Sequence, residues 1–310
     1  MRFLVTGVAG FLGSFLTEEL LTEGHEVLGV DNLITGQKSN LDKCLEFKRF
    51  EFLRHDITFP LYVEVDGIFN LACPASPVKY QQDPVQTFKT SVIGSINLLG
   101  IAKRLQIPIL QASTSEIYGD PKISPQTEDY WGNTNPIGIR ACYDEGKRAA
   151  ETAFSDYRRQ YKIDTKIARI FNTFGPRMST DDGRVVSNFI VQALLGQDIT
   201  IYGDGMQTRS FCYVTDTVRA LNRFMKSAGD GLPINIGNPE EISVITLATE
   251  IIKLTNSNSK IVYKKLPGDD PSQRKPSIER ASSLLGWTPQ VSRISGLQLT
   301  INYFQQILKF

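Results

Sequence analysis

Tyr143-Asp144-Glu145-Gly146-Lys147 sets a phenol and an ammonium four residues apart in a stretch with helical periodicity. Positions i and i+4 share a helix face, so the ammonium can sit beside the phenol. A nearby cation lowers a phenol's pKa. Tyr143 could then take the proton of a substrate hydroxyl while hydride leaves the carbon that bears it. The spacing alone is a weak signal, because solvated helix faces often carry a Lys one turn from a Tyr. Thr114-Ser115-Glu116, at the end of a strand-like run, strengthens it with a hydroxyl that could bond the reacting oxygen.

Hydride chemistry needs an acceptor, and the N-terminus offers a place for one. Gly7-Val8-Ala9-Gly10-Phe11-Leu12-Gly13 stands between a strand-like run and a helical one. The spacing G-x-x-G-x-x-G is one residue wider at the front than the usual dinucleotide fingerprint. Its glycines serve the same ends: a tight turn, close approach of backbone to pyrophosphate, and close helix–strand packing. The helix N-terminus adds unpaired N–H groups. Asp31 lies near the roughly 20-residue offset expected for the acid that binds the adenosine ribose. A carboxylate there accepts from both ribose hydroxyls and repels a 2′-phosphate, which favours NAD over NADP. In the plainer reading Asp31 caps the turn that begins at Asn32. Asp56 either accepts from the adenine amino group or caps its loop.

The elements that must position these residues alternate. Strand-like runs cover Arg2–Thr6, Glu26–Asp31, Phe50–Asp56, Gly67–Ala72, Pro108–Thr114 and Thr165–Thr173. Helical patterns cover Phe11–Glu23, Pro84–Leu105, Arg140–Tyr161 and Gly183–Leu195. Several strands are nearly continuous apolar runs, as when both sheet faces are covered. The alternation predicts an α/β fold of Rossmann type, a doubly wound parallel sheet with right-handed crossovers. After about Pro176 the pattern loosens. Thr200–Gly203, Arg209–Val214 and Pro233–Gly237 read as short strands, Thr215–Ser227 as a helix, and Asn256–Ser259 and Pro267–Pro276 as polar loops. This predicts an NAD-binding domain over 1–176, completed by elements near 214–238. A smaller C-terminal substrate lobe is expected mainly over 177–310.

Bulk properties narrow the function classes. The chain has 310 residues, a net charge of +1 and ordinary apolar content, so nothing global points to nucleic acid or an acidic membrane. No apolar run approaches the roughly 20 residues that span a bilayer. Met1-Arg2 leads at once into Phe3-Leu4-Val5 and the glycine loop, unlike a signal peptide, so a cytoplasmic location is expected. Cys44, Cys73, Cys142 and Cys212 are widely spaced without a CxxC, which suits a reducing compartment. With only His25 and His55, a histidine triad or metal cage is improbable, and no metal is expected.

Longer blocks carry a resemblance. They include Leu71-Ala72-Cys73-Pro74-Ala75-Ser76-Pro77, Ser113-Thr114-Ser115-Glu116-Ile117-Tyr118-Gly119, Cys142-Tyr143-Asp144-Glu145-Gly146-Lys147-Arg148 and Arg169-Ile170-Phe171-Asn172-Thr173-Phe174-Gly175-Pro176-Arg177. Further blocks are Asp182-Gly183-Arg184-Val185-Val186-Ser187-Asn188, Tyr202-Gly203-Asp204-Gly205-Met206-Gln207-Thr208-Arg209 and Gln273-Arg274-Lys275-Pro276. Over nearly its whole length the chain resembles the extended short-chain dehydrogenase/reductases, and most closely the UDP-glucuronate decarboxylases (UDP-xylose synthases). Two departures flank the cofactor glycines: Val8 where relatives commonly have Gly, and Phe15 where they commonly have His.

The resemblance implies that Tyr143 is the catalytic base, Lys147 its partner and Thr114 the third member, with Ser115 and Glu116 acting near C5 of the sugar and its carboxylate. It implies NAD contacts at Gly7, Gly10, Phe11, Leu12, Gly13, Asp31, Asn32, Asp56, Ile57, Leu71, Tyr143, Lys147 and Thr173. It implies UDP-sugar contacts at Asn172, Ser187, Asn188, Tyr202, Gln207, Arg209 and Arg274. Surface charge is the bland reading of the arginines. The implied reaction takes UDP-glucuronate to UDP-xylose and CO2 through a 4-keto sugar, with NAD regenerated in the site of a homodimer. A 4-epimerase, an oxidative decarboxylase releasing the keto-pentose, and a non-catalytic dinucleotide sensor are the alternatives. The sensor has little reason to keep Tyr143 and Lys147.

Overall fold

The structure, a computed structural model, describes residues 1–265 and 273–308. Seven strands form one parallel sheet: β1 (Arg2–Thr6), β2 (Glu26–Asp31), β3 (Phe50–Arg54), β4 (Gly67–Asn70), β5 (Ile109–Thr114), β6 (Thr165–Ile170) and β7 (Ile234–Ile236). Their spatial order is β7-β6-β5-β4-β1-β2-β3. The winding reverses between β1 and β4, and ligands of such sheets bind at the carboxyl ends of the strands beside that reversal.

Successive side chains of a strand point to opposite faces, and the sheet fills two cores by this rule. Phe3, Val5, Phe69, Leu110 and Ala168 enter one core; their neighbours Leu4, Ile68, Ile109 and Ile167 enter the other. The first core is closed by α1 (Phe11–Thr22) through Leu16 and Leu20, and by α4 (Val214–Lys226) through Val218 and Leu221. The second is closed by α2 (Ser95–Leu105) through Leu98 and Leu99, and by α3 (Ala141–Tyr161) through Phe154. This arrangement is the expected doubly wound sheet.

Several element boundaries differ from the sequence reading. The helix expected over Pro84–Leu105 is three pieces: Pro84–Lys89, a π turn at Thr90–Gly94, and α2. Asp83 caps the first, its side chain accepting from the Gln86 N–H at 2.9 Å. The π turn sets Gly94 against Ile57, where a Cβ would lie 2.5 Å from the Ile57 Cδ1. The strand expected over Thr165–Thr173 stops at Ile170, and Thr173–Phe174 pairs instead with Cys212–Tyr213. Arg209–Val214 likewise splits into Thr208–Ser210 and Cys212–Tyr213.

Of the polar loop expected over Pro267–Pro276, residues 267–272 lie outside the described residues. Gln273–Arg274, however, is a short strand parallel to Thr208–Arg209. Helices at Val244–Thr255, Glu279–Leu285 and Arg293–Ile307, and strands at Glu241–Ser243 and Ile261–Lys264, complete the C-terminal part. Asp216 of α4 ties this part down. It accepts from the N–H groups of Gln290 (2.9 Å) and Val291 (2.8 Å), and its carbonyl takes the indole N–H of buried Trp287 at 3.0 Å. No described helix is long and apolar enough to cross a membrane.

Candidate active site

A chamber of about 590 Å³ opens at the carboxyl ends of β1, β4, β5 and β6. One end is the glycine loop. Gly7 adopts φ +68° and lies so close to the next strand that a Cβ would be 2.9 Å from the Ala72 backbone. A Cβ on Gly13 would be 2.1 Å from the Gly7 carbonyl oxygen. Gly10 precedes α1 without a side-chain cap, and the first turn carries no acidic residue, so its N–H groups remain for an anion. This cradle fits a dinucleotide pyrophosphate. Val8 is accommodated because residue 29 is Gly; a Cβ there would be 2.8 Å from the Val8 Cγ2. Phe15 carries the Arg177 guanidinium 4.5 Å above its ring, and Glu18 pairs with that arginine. Gly13→Ala is expected to weaken NAD binding at least tenfold in calorimetry, since its methyl must displace the Gly7 carbonyl. Unchanged affinity would detach the loop from the cofactor.

Asp31 sits against the glycine loop and is not among the residues that line the chamber. Its buried carboxylate accepts from the N–H of Ala9 (3.0 Å) and of Leu33 (2.8 Å). Burial pushes its carboxyl up against the pull of those two bonds. It therefore braces loop and turn at once, with its position fixed. Asn32 donates to Asp56 at 3.1 Å. Asp56 takes three more bonds, two from Thr58 and one from Gln86. Burial works against its charge, but the Thr58 and Asn32 bonds outweigh burial and hold the carboxyl below the ordinary range. Through these bonds Asp56 caps its loop. Ile57 is buried in the second core.

The reactive groups gather in mid-chamber. The end of β5 brings Thr114, and α3 brings Tyr143 and Lys147, both buried. The Thr114 hydroxyl accepts from the Glu116 N–H at 3.1 Å and favours the ionised form of the Tyr143 phenol. Lys147 Nζ donates to the Ala112 carbonyl at 2.8 Å and lies 5.8 Å from the centre of the Tyr143 ring. The expected lowering of the phenol is not what these contacts produce. Burial, then the Cys73 thiol, push Tyr143 up, and Thr114 is the opposing influence. Burial also pushes Lys147 down. Two groups packed out of water both disfavour charge, so burial outweighs the pairing that the spacing suggested.

Beside them lies a charged cluster. Glu116 accepts from Arg140 at 2.6 Å and from Arg274 at 3.1 Å. Burial opposes its charge, but Arg274, then Arg140 and Arg209, overcome that and hold its carboxyl below the usual range. Arg274 is almost wholly buried, at 1% exposure. Its other bonds go to the carbonyls of Ser115 (3.0 Å) and Gly119 (2.9 Å). It lines the chamber, and it is not the surface charge of the bland reading.

Leu71, Asn172, Thr173, Asn188, Tyr202, Gln207 and Arg209 also line the chamber. Ser187 does not; it is fully buried and its hydroxyl donates to the Arg184 carbonyl at 3.0 Å. Among the lining residues that the sequence reading did not assign to the site, four bear on its chemistry. Tyr80 stacks on Tyr143, ring centres 5.0 Å apart and planes within 4°. Cys73 lies 3.2 Å from the Ser91 hydroxyl. Arg140 had one available signal, its position one helical turn before Tyr143. Lys79 pairs with Asp181 at 2.6 Å. The other three depend on contacts between distant segments.

Known proteins share this arrangement. The family described as NAD dependent epimerase/dehydratase matches residues 3–237. UDP-glucuronic acid decarboxylase 6 of Arabidopsis thaliana is 56% identical over 300 residues, covering 96% of this chain and 87% of that protein. UDP-glucuronic acid decarboxylase 1 of Xenopus tropicalis is 52% identical over 308 residues, covering 99% and 73%. Among solved structures, UDP-glucose 4-epimerase of Thermotoga maritima with UDP-glucose superposes with a TM-score of 0.91 at 30% identity over the full length of both chains. UDP-glucuronic acid 4-epimerase of Bacillus cereus, with UDP-glucuronic acid and NAD, has a TM-score of 0.89 at 28% identity, covering 99% of this chain and 100% of that one. With its parallel sheet, glycine cradle and buried Thr114–Tyr143–Lys147 set, the chain belongs to the NAD dependent epimerase/dehydratase family.

Proposed function

We infer that this enzyme decarboxylates UDP-glucuronate to UDP-xylose and CO2, using NAD that is regenerated in the site. One observation carries the reading: the Thr114–Tyr143 hydroxyl pair and the Glu116–Arg140–Arg274 cluster open into a single chamber. Bound NAD supplies the acceptance and return of hydride at C4. Tyr143 takes the C4 hydroxyl proton, Thr114 holds the same oxygen, and Lys147, anchored on the Ala112 carbonyl, holds the pair in place. A C4 ketone is β to the C6 carboxylate. The electron pair of the C5–C6 bond can therefore delocalise onto the C4 oxygen as CO2 leaves, without a metal. Glu116 then handles the proton that C5 requires. Ser115 brings no carboxyl that could protonate and expel a C6 hydroxyl.

Residues 1–176, with those near 214–238, hold NAD; the rest mainly hold the UDP-sugar through Asn188, Tyr202, Gln207 and Arg209, with Asn172 of the NAD-binding part beside them. Arginine suits a diphosphate because its planar fork makes paired charge-assisted bonds. The enzyme works in the cytoplasm as a homodimer. Its self-contact lies on α3 and on the neighbouring 84–105 segment, where Phe88, Ile93 and Ile96 are exposed.

A second reading is kept by the likeness to an epimerase that itself binds UDP-glucuronic acid: hydride returned to the opposite face without loss of CO2. Proton NMR of the products from UDP-glucuronate, with headspace CO2, separates the two. UDP-xylose with one CO2 per turnover is expected. UDP-galacturonate without CO2 would falsify the decarboxylase, and stoichiometric NADH would favour an oxidative enzyme.

A further inference from the structure

A redox-neutral decarboxylase has to keep its intermediates. Between the two hydride transfers the chamber holds a 4-keto sugar and the reduced cofactor. If they escape, the cycle ends as an oxidation: UDP-glucuronate and NAD are consumed, and one NADH, one CO2 and one UDP-4-keto-pentose leave. Retention falls to the chamber wall, and one stretch of that wall is held by a contact that water can reach.

Met178, Ser179, Asp182, Gly183 and Arg184 line the chamber, whereas Asp181 between them is exposed and does not. The chain over 178–184 thus has the chamber on one side and solvent on the other. Its ends are fixed. Met178 is buried in the first core, and the Gly183 carbonyl accepts from the side chain of Asn188, in the helix Val185–Leu194, at 3.1 Å. Its middle is held by side chains of two other segments. On one flank the Ser179 hydroxyl accepts from the Gln37 amide at 3.4 Å, and the Gln37 N–H donates to the Ala9 carbonyl of the glycine loop at 3.0 Å. On the other flank lies the short helix Pro77–Gln82. Its Lys79 donates to Asp181 at 2.6 Å, joining positions 102 residues apart. Next to that pair Gly183, at φ +80°, lies so close to the helix that a Cβ would be 2.5 Å from the Val78 Cγ2. Gln37, Val78 and Lys79 line the chamber as well. The Lys79 and Asp181 side chains are 25% and 66% exposed. An ion pair so placed is weak and is screened by salt, so it can open within a turnover.

We propose that residues 178–184 are a gate in the chamber wall, latched by Lys79 and Asp181, that keeps NADH and the 4-keto sugar bound between the two hydride transfers. This rests on the decarboxylase reading. With the pair made, the segment is pinned from the Gln37 side to the 77–82 helix. With it open, residues 179–182 are released between their fixed ends and UDP-xylose can leave. Gating segments of this kind set the release of products in many enzymes.

The test compares full-length wild type, Asp181→Asn, Asp181→Lys and the exchanged Lys79→Glu/Asp181→Lys protein, each with NAD. One readout is the fraction of UDP-glucuronate turnovers that end as free NADH and UDP-4-keto-pentose. The other is the rate at which bound NADH is displaced by excess NAD, followed by its fluorescence. Asp181→Asn should release NADH about two- to fivefold faster, the range for one exposed ion pair, and should end proportionally more turnovers as keto-pentose. Asp181→Lys should leak at least as much, and the exchanged pair should return both readouts toward wild type. Added salt should raise release from wild type to the level of Asp181→Asn and leave that variant unmoved. Asp181 is exposed and Asn is nearly isosteric with it, so folding is secured. NADH release from Asp181→Asn at the wild-type rate, or an exchanged pair as leaky as Asp181→Lys, overturns the gate. A wild type that forms no CO2 overturns the decarboxylase reading, while the NADH displacement rates still decide the latch.

Discussion

Tyr143→Phe is expected to lower turnover by about 10²–10⁴-fold, the range for removing a positioned general acid–base, while UDP-glucuronate binds within a few-fold of wild type. The ring is held by its stack on Tyr80 and by burial, neither of which needs the hydroxyl. What the variant loses is the oxygen that would take the C4 proton, the group whose ionisation Thr114 favours. Rapid mixing with UDP-glucuronate should show no NADH absorbance, and calorimetry should show retained binding. Lost binding with unchanged turnover per bound substrate would mean that Tyr143 holds the sugar and another group moves the proton. Because burial pushes the phenol up, the wild-type rate of the first hydride transfer, read as NADH absorbance, should rise with pH on the alkaline side. Its activating limb should disappear in a variant that has no phenol to ionise.

The N-terminal half was legible because its signals are local. β1, the glycine turn and α1 are contiguous, and the alternation of Phe3, Leu4 and Val5 between two cores follows from strand periodicity alone. Tyr143 and Lys147 are legible for the same reason, one helical turn apart. The C-terminal half was harder. Val244–Thr255 is a helix rich in β-branched residues, whose propensity leans toward strand. Its start is fixed by Ser243, which accepts from the Thr246 N–H at 3.2 Å, and by Leu247, Ala248 and Ile251 packing into the first core. The break after Ile170 was equally hidden. Phe171 onward reads as more strand, but the Asn172 carbonyl accepts from the Cys212 N–H at 2.9 Å, forty residues away in the chain. Asp56 shows a different limit. Its strand-end position reads equally as an adenine acceptor or a loop cap, and the capping bonds come from Asn32, Thr58 and Gln86, which no local pattern announces.

Arg274 is the residue whose role the sequence concealed most. In sequence it stands beside Lys275 in a polar stretch; in space it meets Glu116, 158 positions earlier. Arg274→Ala should therefore cost stability as well as activity. The substitution leaves the Ser115 and Gly119 carbonyls without the Arg274 donor and Glu116 paired with Arg140. Breaking a buried ion pair by removing one partner costs about 3–5 kcal/mol, and calorimetry should find the melting midpoint lower by about 5–8 °C.

The loss has a pH signature. Burial opposes the Glu116 charge, but Arg274 leads the groups that hold its carboxyl below its unfolded value. A carboxyl lowered by folding contributes stability that is present above the unfolded pKa and is lost as pH falls through the folded one. The gap between wild type and variant should thus be full at pH 7 and shrink on acidification below the ordinary carboxylate range. Arg274→Lys should recover little of it, since a single ammonium cannot serve two carbonyls and a carboxylate in the directions that the guanidinium fork spans. If Arg274→Ala melted like wild type at pH 7 and lost only UDP-sugar affinity, the arginine would be a ligand contact alone. The Glu116 charge would then have to be held by Arg140 and Arg209.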